Sequence, residues 1–270
     1  MSGTDAERVL IHREGRDGAV AHVRMNRGDK RNGLDAAMIT GLIAAGEALG
    51  ADASVRAVVL SGDGPAFCAG LDFKSFMAGG PKAMHALVER HGVANVAQRC
   101  AWIWQELPVP VIAAIHGVCF GGGLQIALGA DIRYATADAE LSVMEIKWGL
   151  IPDMSITQTA PRSVRLDVLK ELTFTGRIVS GTEAQALGLV TRVCEDPLAE
   201  ALATAAVIAG KNPHAIRRDK RLLNEAPALP VAAAFELETE LQVELLGSKN
   251  QLEAVRANFT KSEPRFQDPE

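Results

Sequence analysis

The sequence predicts a mixed α/β fold, with a core of sheets and helices over the first two-thirds and a helical last quarter. Three observations predict it. Short, almost wholly apolar runs recur between stretches of helical period, the pattern of strands covered by helices on both sides. From about residue 198 the strand pattern stops, and Pro213, Pro227 and Pro230 separate segments that all read as helix. The 270 residues are enough to bury a large core. The division expected is therefore a core over residues 1–197 and a helical region over 198–270.

The elements follow in order. Residues 9–25 read as a hairpin around Gly15-Arg16-Asp17-Gly18. Residues 26–33 form a polar loop whose cations Arg27, Lys30 and Arg31 are either solvated or meet a ligand's phosphates. Asp35 is placed to cap a helix running to about Leu49, with Met38 and Leu42 on its apolar face. Residues 56–61 form a buried strand, and Gly62-Asp63-Gly64-Pro65 a turn. Phe67-Cys68-Ala69-Gly70-Leu71-Asp72 is a small-residue segment that ends at a helix start capped by Asp72. One long helix is expected over residues 82–107, bounded by Pro81 and Pro108, with Trp102 and Trp104 in a core or interface.

Residues 112–127 are the stretch around which the chain is organised. An apolar strand turns through Gly121-Gly122-Gly123 into an Ala/Leu-rich helix. Glycines there let a ligand approach the main chain, and the helix start offers unpaired N–H groups and a positive dipole end. That suits an oxygen that becomes negatively charged. Residues 131–135 and 140–143 are further extended pieces, leading into Met144-Glu145-Ile146 and Gly149-Leu150-Ile151-Pro152-Asp153. A short helix follows Asp153 and stops at Pro161; residues 166–173 are helical and 177–179 extended. Ser180-Gly181-Thr182-Glu183 is a capping-box pattern, and residues 190–194 form a last strand. Leu237, Leu241 and Leu245 make one helical stripe.

Composition narrows the function. A net charge of −5 argues against general nucleic-acid binding. The N-terminus, with Asp5, Glu7 and Arg8, lacks a signal-peptide pattern. The most apolar stretch, residues 107–130, contains two prolines, His116 and Gln125, so it reads as buried strand and helix and not as a membrane span. Cys68, Cys100, Cys119 and Cys194 are scattered with no CxxC pair, so neither a metal site nor a disulfide frame is expected. A reduced, cytoplasmic setting follows. A dinucleotide fold fails because Ile126 stands where GxGxxG needs glycine, and no P-loop Gly-Lys-Ser/Thr or GxSxG elbow is present.

The segments 67–72, 116–125 and 144–152, in that order and spacing, resemble the crotonase (enoyl-CoA hydratase/isomerase) family. The match extends through Thr175-Gly176-Arg177 and Gly188-Leu189-Val190, from about residue 9 to 266. The resemblance implies a crotonase-like spiral of β-β-α turns with a helical C-terminal region that assembles trimers or hexamers (dimers of trimers). It implies an acyl-CoA substrate and no separate cofactor, coenzyme A being part of the substrate. The thioester oxygen would lie between the main-chain N–H groups of Leu71 and Gly122, where it could be stabilised as an enolate. Ala69, Arg27, Lys30, Arg31 and Lys261 match positions near the CoA moiety, that of the same subunit or, for Lys261, of the same or a neighbouring one.

The catalytic set is where the chain departs from its relatives. Hydratases of the family place glutamates at two positions; here Glu145 holds the second, on the strand before the Gly-Leu-Ile-Pro turn, and Gln125 stands at the first. A glutamine can bind water but cannot exchange a proton at neutral pH. Asp153 supplies another carboxylate where the family's dienoyl-CoA isomerases carry an aspartate. Glu145 and Asp153 could therefore divide the proton transfers of a double-bond isomerase, the expected activity. The alternatives are hydration of trans-2-enoyl-CoA and, less favoured, acyl-CoA binding without turnover. Asp153 could also be only a helix cap, and Gln125 only a satisfied polar group.

Overall fold

The computed structural model describes residues 7–269, which leaves Asp5 outside the described part. The expected hairpin is β1 (Val9–Glu14) and β2 (Val20–Met25), antiparallel with Val9 opposite Met25. The helix α1 (Ala36–Ala51) starts at Asp35, whose carboxylate accepts the Met38 N–H at 2.8 Å. Strand β3 (Ala57–Gly62) follows, then α2 (Phe73–Ala78), capped by Asp72 as expected.

Residues 82–107 are not one helix. They divide into α3 (Gly80–Val88), the two-residue strands β4 (Arg90–His91) and β5 (Ala94–Asn95), and α4 (Val96–Glu106). The reason is local chemistry: Asn95 and Gln98 form a complete capping box, each side chain bonding the other's main-chain N–H, and so begin a new helix. Trp104, on α4 itself, is fully buried.

Strand β6 (Val111–Ile115) leads through β7 (Val118–Phe120) into α5 (Gly122–Gly129), then β8 (Ile132–Ala135) and β9 (Glu140–Ser142). Glu145 was expected on an extended segment, but β9 has ended by Ser142. Glu145 instead opens a 3-10 turn, Glu145–Trp148. Helix α6 (Ile156–Thr159) does not stop at Pro161, which sits inside a following 3-10 turn, Ala160–Arg162, whose start needs no donor from proline. Helix α7 (Leu166–Thr175), β10 (Val179–Ser180), α8 (Gly181–Ala186) and the short β11 (Arg192–Val193) complete the first two-thirds. Ser180 caps α8, but Glu183 turns to Arg177 at 2.7 Å and leaves the expected capping box half formed.

The main sheet runs β1-β2-β3-β6-β8-β11, parallel from β2 onward, and a second sheet runs β10-β9-β7. Alternation along the strands sorts the core. Val58, Leu60, Val111, Ala113 and Ile115 face the helices α1, α4 and α5, while Val59, Ile112 and Ala114 face the opposite way. That second face is covered by Ala201, Ala205 and Ala209 of α9 (Pro197–Ala209). The division drawn at residue 198 thus falls at the start of a helix that belongs to the sheet's cover. Helices α10 (Pro213–Glu225), α11 (Val231–Leu245) and α12 (Lys249–Thr260) follow. Leu237 and Leu241 of the expected stripe are buried within the chain itself. No helix among the described residues is long and apolar enough to cross a membrane, and all four cysteines are free.

Candidate active site

The segment 67–72 is laced between β7 and the basic loop. Cys68 N–H donates to Val118 O at 3.1 Å, and Phe120 N–H returns a bond to Cys68 O at 3.0 Å. On the other side Ala69 N–H reaches Arg31 O at 2.9 Å, Leu34 N–H reaches Gly70 O at 2.8 Å, and Asp72 N–H reaches Leu34 O at 2.9 Å. Two glycines make this approach possible. A Cβ on Gly70 (φ 84°) would stand 2.7 Å from Phe120 O, and one on Gly123 would stand 2.5 Å from Cys68 O. The lacing holds Leu71 and the first residue of α5, Gly122, on the wall of one cleft of about 290 Å³. Among the described residues no protein acceptor meets the N–H of Leu71 or Gly122.

Glu145 and Asp153 line the same cleft. Burial pushes the Glu145 carboxyl above its ordinary value, and the negative charge of Asp153 adds to this, against hydrogen bonds that favour its ionised form. Burial also pushes Asp153 up. Asp153 does not cap the helix after it: the N-cap of α6 is Ser155, which has φ 67° and makes no side-chain cap.

Gln125 is 1% exposed and stands behind the cleft wall. Its Nε2 donates to Glu145 Oε1 at 2.6 Å, and its Oε1 accepts the Met154 main-chain N–H at 2.8 Å. The Met154 donor fixes which way the amide points, so the NH₂ end must face the carboxylate. Glu145 Oε2 is buried with no partner among the described residues.

The residues expected near CoA separate. Ala69 lines the cleft, and Lys30 and Arg31 are exposed on the loop bonded to it. Arg27 is turned inward, 2.8 Å from Asp72 and 3.5 Å from Asp35, and donates to Gly33 O. Burial alone would raise the Asp72 carboxyl, but hydrogen bonds from Ser75 and Arg27 outweigh it and hold it at about 2. Lys261 is the left-handed cap of α12 and is not among the residues lining the cleft. The structure adds residues the sequence did not single out: Met154, which acts through its main chain and so leaves no side-chain signal, and the Phe73–Trp148 pair, with ring centroids 4.4 Å apart. Among the described residues no three His, Cys, Asp or Glu side chains cluster to hold a metal ion.

Two unpaired N–H groups beside two carboxyls, Glu145 half-buried and Asp153 exposed at the cleft's edge, can polarise a carbonyl and move a proton next to it. Residues 15–269 match the family model described as Enoyl-CoA hydratase/isomerase. The chain belongs to the enoyl-CoA hydratase/isomerase family. Its similar relatives within that family carry different activities in their names. The mitochondrial methylglutaconyl-CoA hydratase of Mus musculus is 30% identical, over 97% of this chain and 84% of that protein. The mitochondrial delta(3,5)-delta(2,4)-dienoyl-CoA isomerase of Rattus norvegicus is 32% identical, over 91% of this chain and 78% of that one. The crystal structure of an enoyl-CoA hydratase from Bacillus anthracis superposes with a TM-score of 0.88 at 29% identity, covering 96% of this chain and 98% of that one. The fold of this enoyl-CoA hydratase/isomerase family member is therefore the crotonase fold, and its substrate class is acyl-CoA.

Proposed function

We propose that this enzyme shifts a double bond along an enoyl- or dienoyl-CoA chain, with Glu145 and Asp153 as its acid and base. The observation that carries the reading is the placement of both carboxyls on one cleft with the N–H groups of Leu71 and Gly122, while Gln125 is engaged at both ends by Glu145 and Met154. The thioester oxygen accepts the two N–H groups and carries the enolate's charge while a proton is in transit. The hydrogen bond from Gln125 favours the ionised form of Glu145, which takes the proton from carbon. Asp153 has no such donor and returns a proton at the second carbon, after which the two carboxyls re-equilibrate. Lys30 and Arg31, beside Ala69, meet the CoA phosphates; Arg27 supports the loop from within, and Lys261 serves a neighbouring subunit of a trimer or hexamer. The helical region from residue 198 provides that assembly, and the free cysteines suit a cytoplasmic setting.

Hydration is the second reading, favoured by the relatives named hydratases and by Glu145 itself. It requires a bound water, and one N–H and one lone pair of the buried Gln125 amide are already committed. Turnover of trans-2-, cis-3- and conjugated dienoyl-CoA thioesters, measured side by side, separates the two. Isomerisation should dominate, and Asp153→Asn should lower it by about 10²–10⁴-fold, the usual cost of one general acid or base. Rapid hydration unaffected by Asp153→Asn would overturn the proposal in favour of the hydratase, and no turnover of any thioester would leave a binding protein.

A further inference from the structure

Beyond its two carboxyls, the main-chain N–H groups of Leu71 and Gly122 and the Trp148 indole N–H, the cleft offers an acyl chain an apolar lining among the described residues. Its outer wall is Phe73, Leu87, Val88, Trp148, Leu150 and Ile151. Glu145 and Asp153 are the only ionisable side chains that line it among the described residues. Lys147 stands over the Trp148 ring, 5.9 Å from its centroid, and is not part of the lining. At the wall Trp148 is 53% exposed, Val88 52% and Ile151 76%, so apolar surface lies open beside the site where a substrate tail would cover it.

We infer that the acyl group accepted here is an uncharged hydrocarbon, and that the cleft turns away thioesters whose tail ends in a carboxylate. The inference rests on the acyl-CoA reading above. A terminal carboxylate in this cleft would lose water and find no cation to pair with, and it would share the space with Glu145 and Asp153. A buried charge without a partner is costly, and a like charge beside it adds to the cost. Methylglutaconyl-CoA, which the Mus musculus relative carries in its name, is a thioester with such a second carboxylate. On this reasoning the present chain and that relative differ in substrate despite their similarity.

The test is equilibrium binding by calorimetry at low ionic strength, using two saturated thioesters so that no reaction intervenes. Octanoyl-CoA should bind at least about 30-fold more tightly than the mono-CoA thioester of octanedioic acid, as like-charge juxtaposition implies. Val88→Arg and Ile151→Arg each place a cation on the exposed part of the wall, and at least one should narrow that ratio about fivefold or more. Binding of the two ligands within about threefold of each other, or a ratio unmoved by both variants, overturns the inference alone. Failure of octanoyl-CoA to bind overturns it together with the acyl-CoA reading.

Discussion

Gln125 decides much of the chemistry at the scale of single residues. Its amide is fixed by Met154 N–H and so presents a donor to Glu145, which favours the ionised base. Gln125→Leu removes that donor while burial and Asp153 continue to push the Glu145 carboxyl up. A base raised further must reach a higher pH before it ionises. With Glu145 as the proposed base, the acid limb of kcat/KM should therefore move to higher pH in Gln125→Leu, and a pH–rate profile reads this directly. A limb that stays put, or moves down, would mean that the bond does not tune the base. Glu145 is itself a cost to the fold, with one oxygen buried and unpartnered and a second carboxylate nearby. Glu145→Gln should abolish turnover yet stabilise the protein by about 1 kcal/mol, or about 2–4 °C in thermal midpoint. Calorimetry checks it, and a fall in midpoint would refute it.

The informative elements are those that start where periodicity does not show a boundary. Apolar spacing runs on through residues 82–107, yet the reciprocal bonds of Asn95 and Gln98 begin a separate helix. Asn95→Ala should cost about 1 kcal/mol, as loss of an N-cap commonly does, measurable by denaturant unfolding. At the glycine turn, close approach matters more than helix propensity. Gly123→Ala drives a Cβ to 2.5 Å from Cys68 O, a main-chain atom that cannot swing aside. It should destabilise by about 1–3 kcal/mol, the usual cost of overpacking, although alanine is the better helix former. A neutral result would show that the 67–72 segment can shift without loss. The same distinction separates the two carboxylates. Glu145 was legible from its motif, but its place on a 3-10 turn was not, because that turn is closed by main-chain bonds and by the contact to Gln125.

At the scale of the molecule, the C-terminal helices are only partly covered. The expected stripe is buried internally at Leu237 and Leu241, whereas Val231, Phe235, Val243 and Phe259 lie exposed, the last at 86%. Apolar surface of this kind marks association. Light scattering should find a trimer or hexamer, and Phe259→Glu should shift it towards monomer. A strict monomer at micromolar concentration would sink the expectation.

By itself the sequence determined the fold class and the order of nearly all elements, and it singled out Leu71, Gly122, Glu145 and Asp153, which the fold brings to one cleft. These are written in local signals: apolar period, caps such as Asp35 and Asp72, and glycines where main chains must meet. Only the tertiary structure decided that Arg27 pairs inward with Asp35 and Asp72, that Gln125 is a brace for Glu145 and not a lining group, and that α9 covers the second face of the sheet. Each depends on atoms far apart in the chain. Which partner a guanidinium, an amide or a row of alanines finds is set by packing, because the residue type alone permits several partners of similar energy.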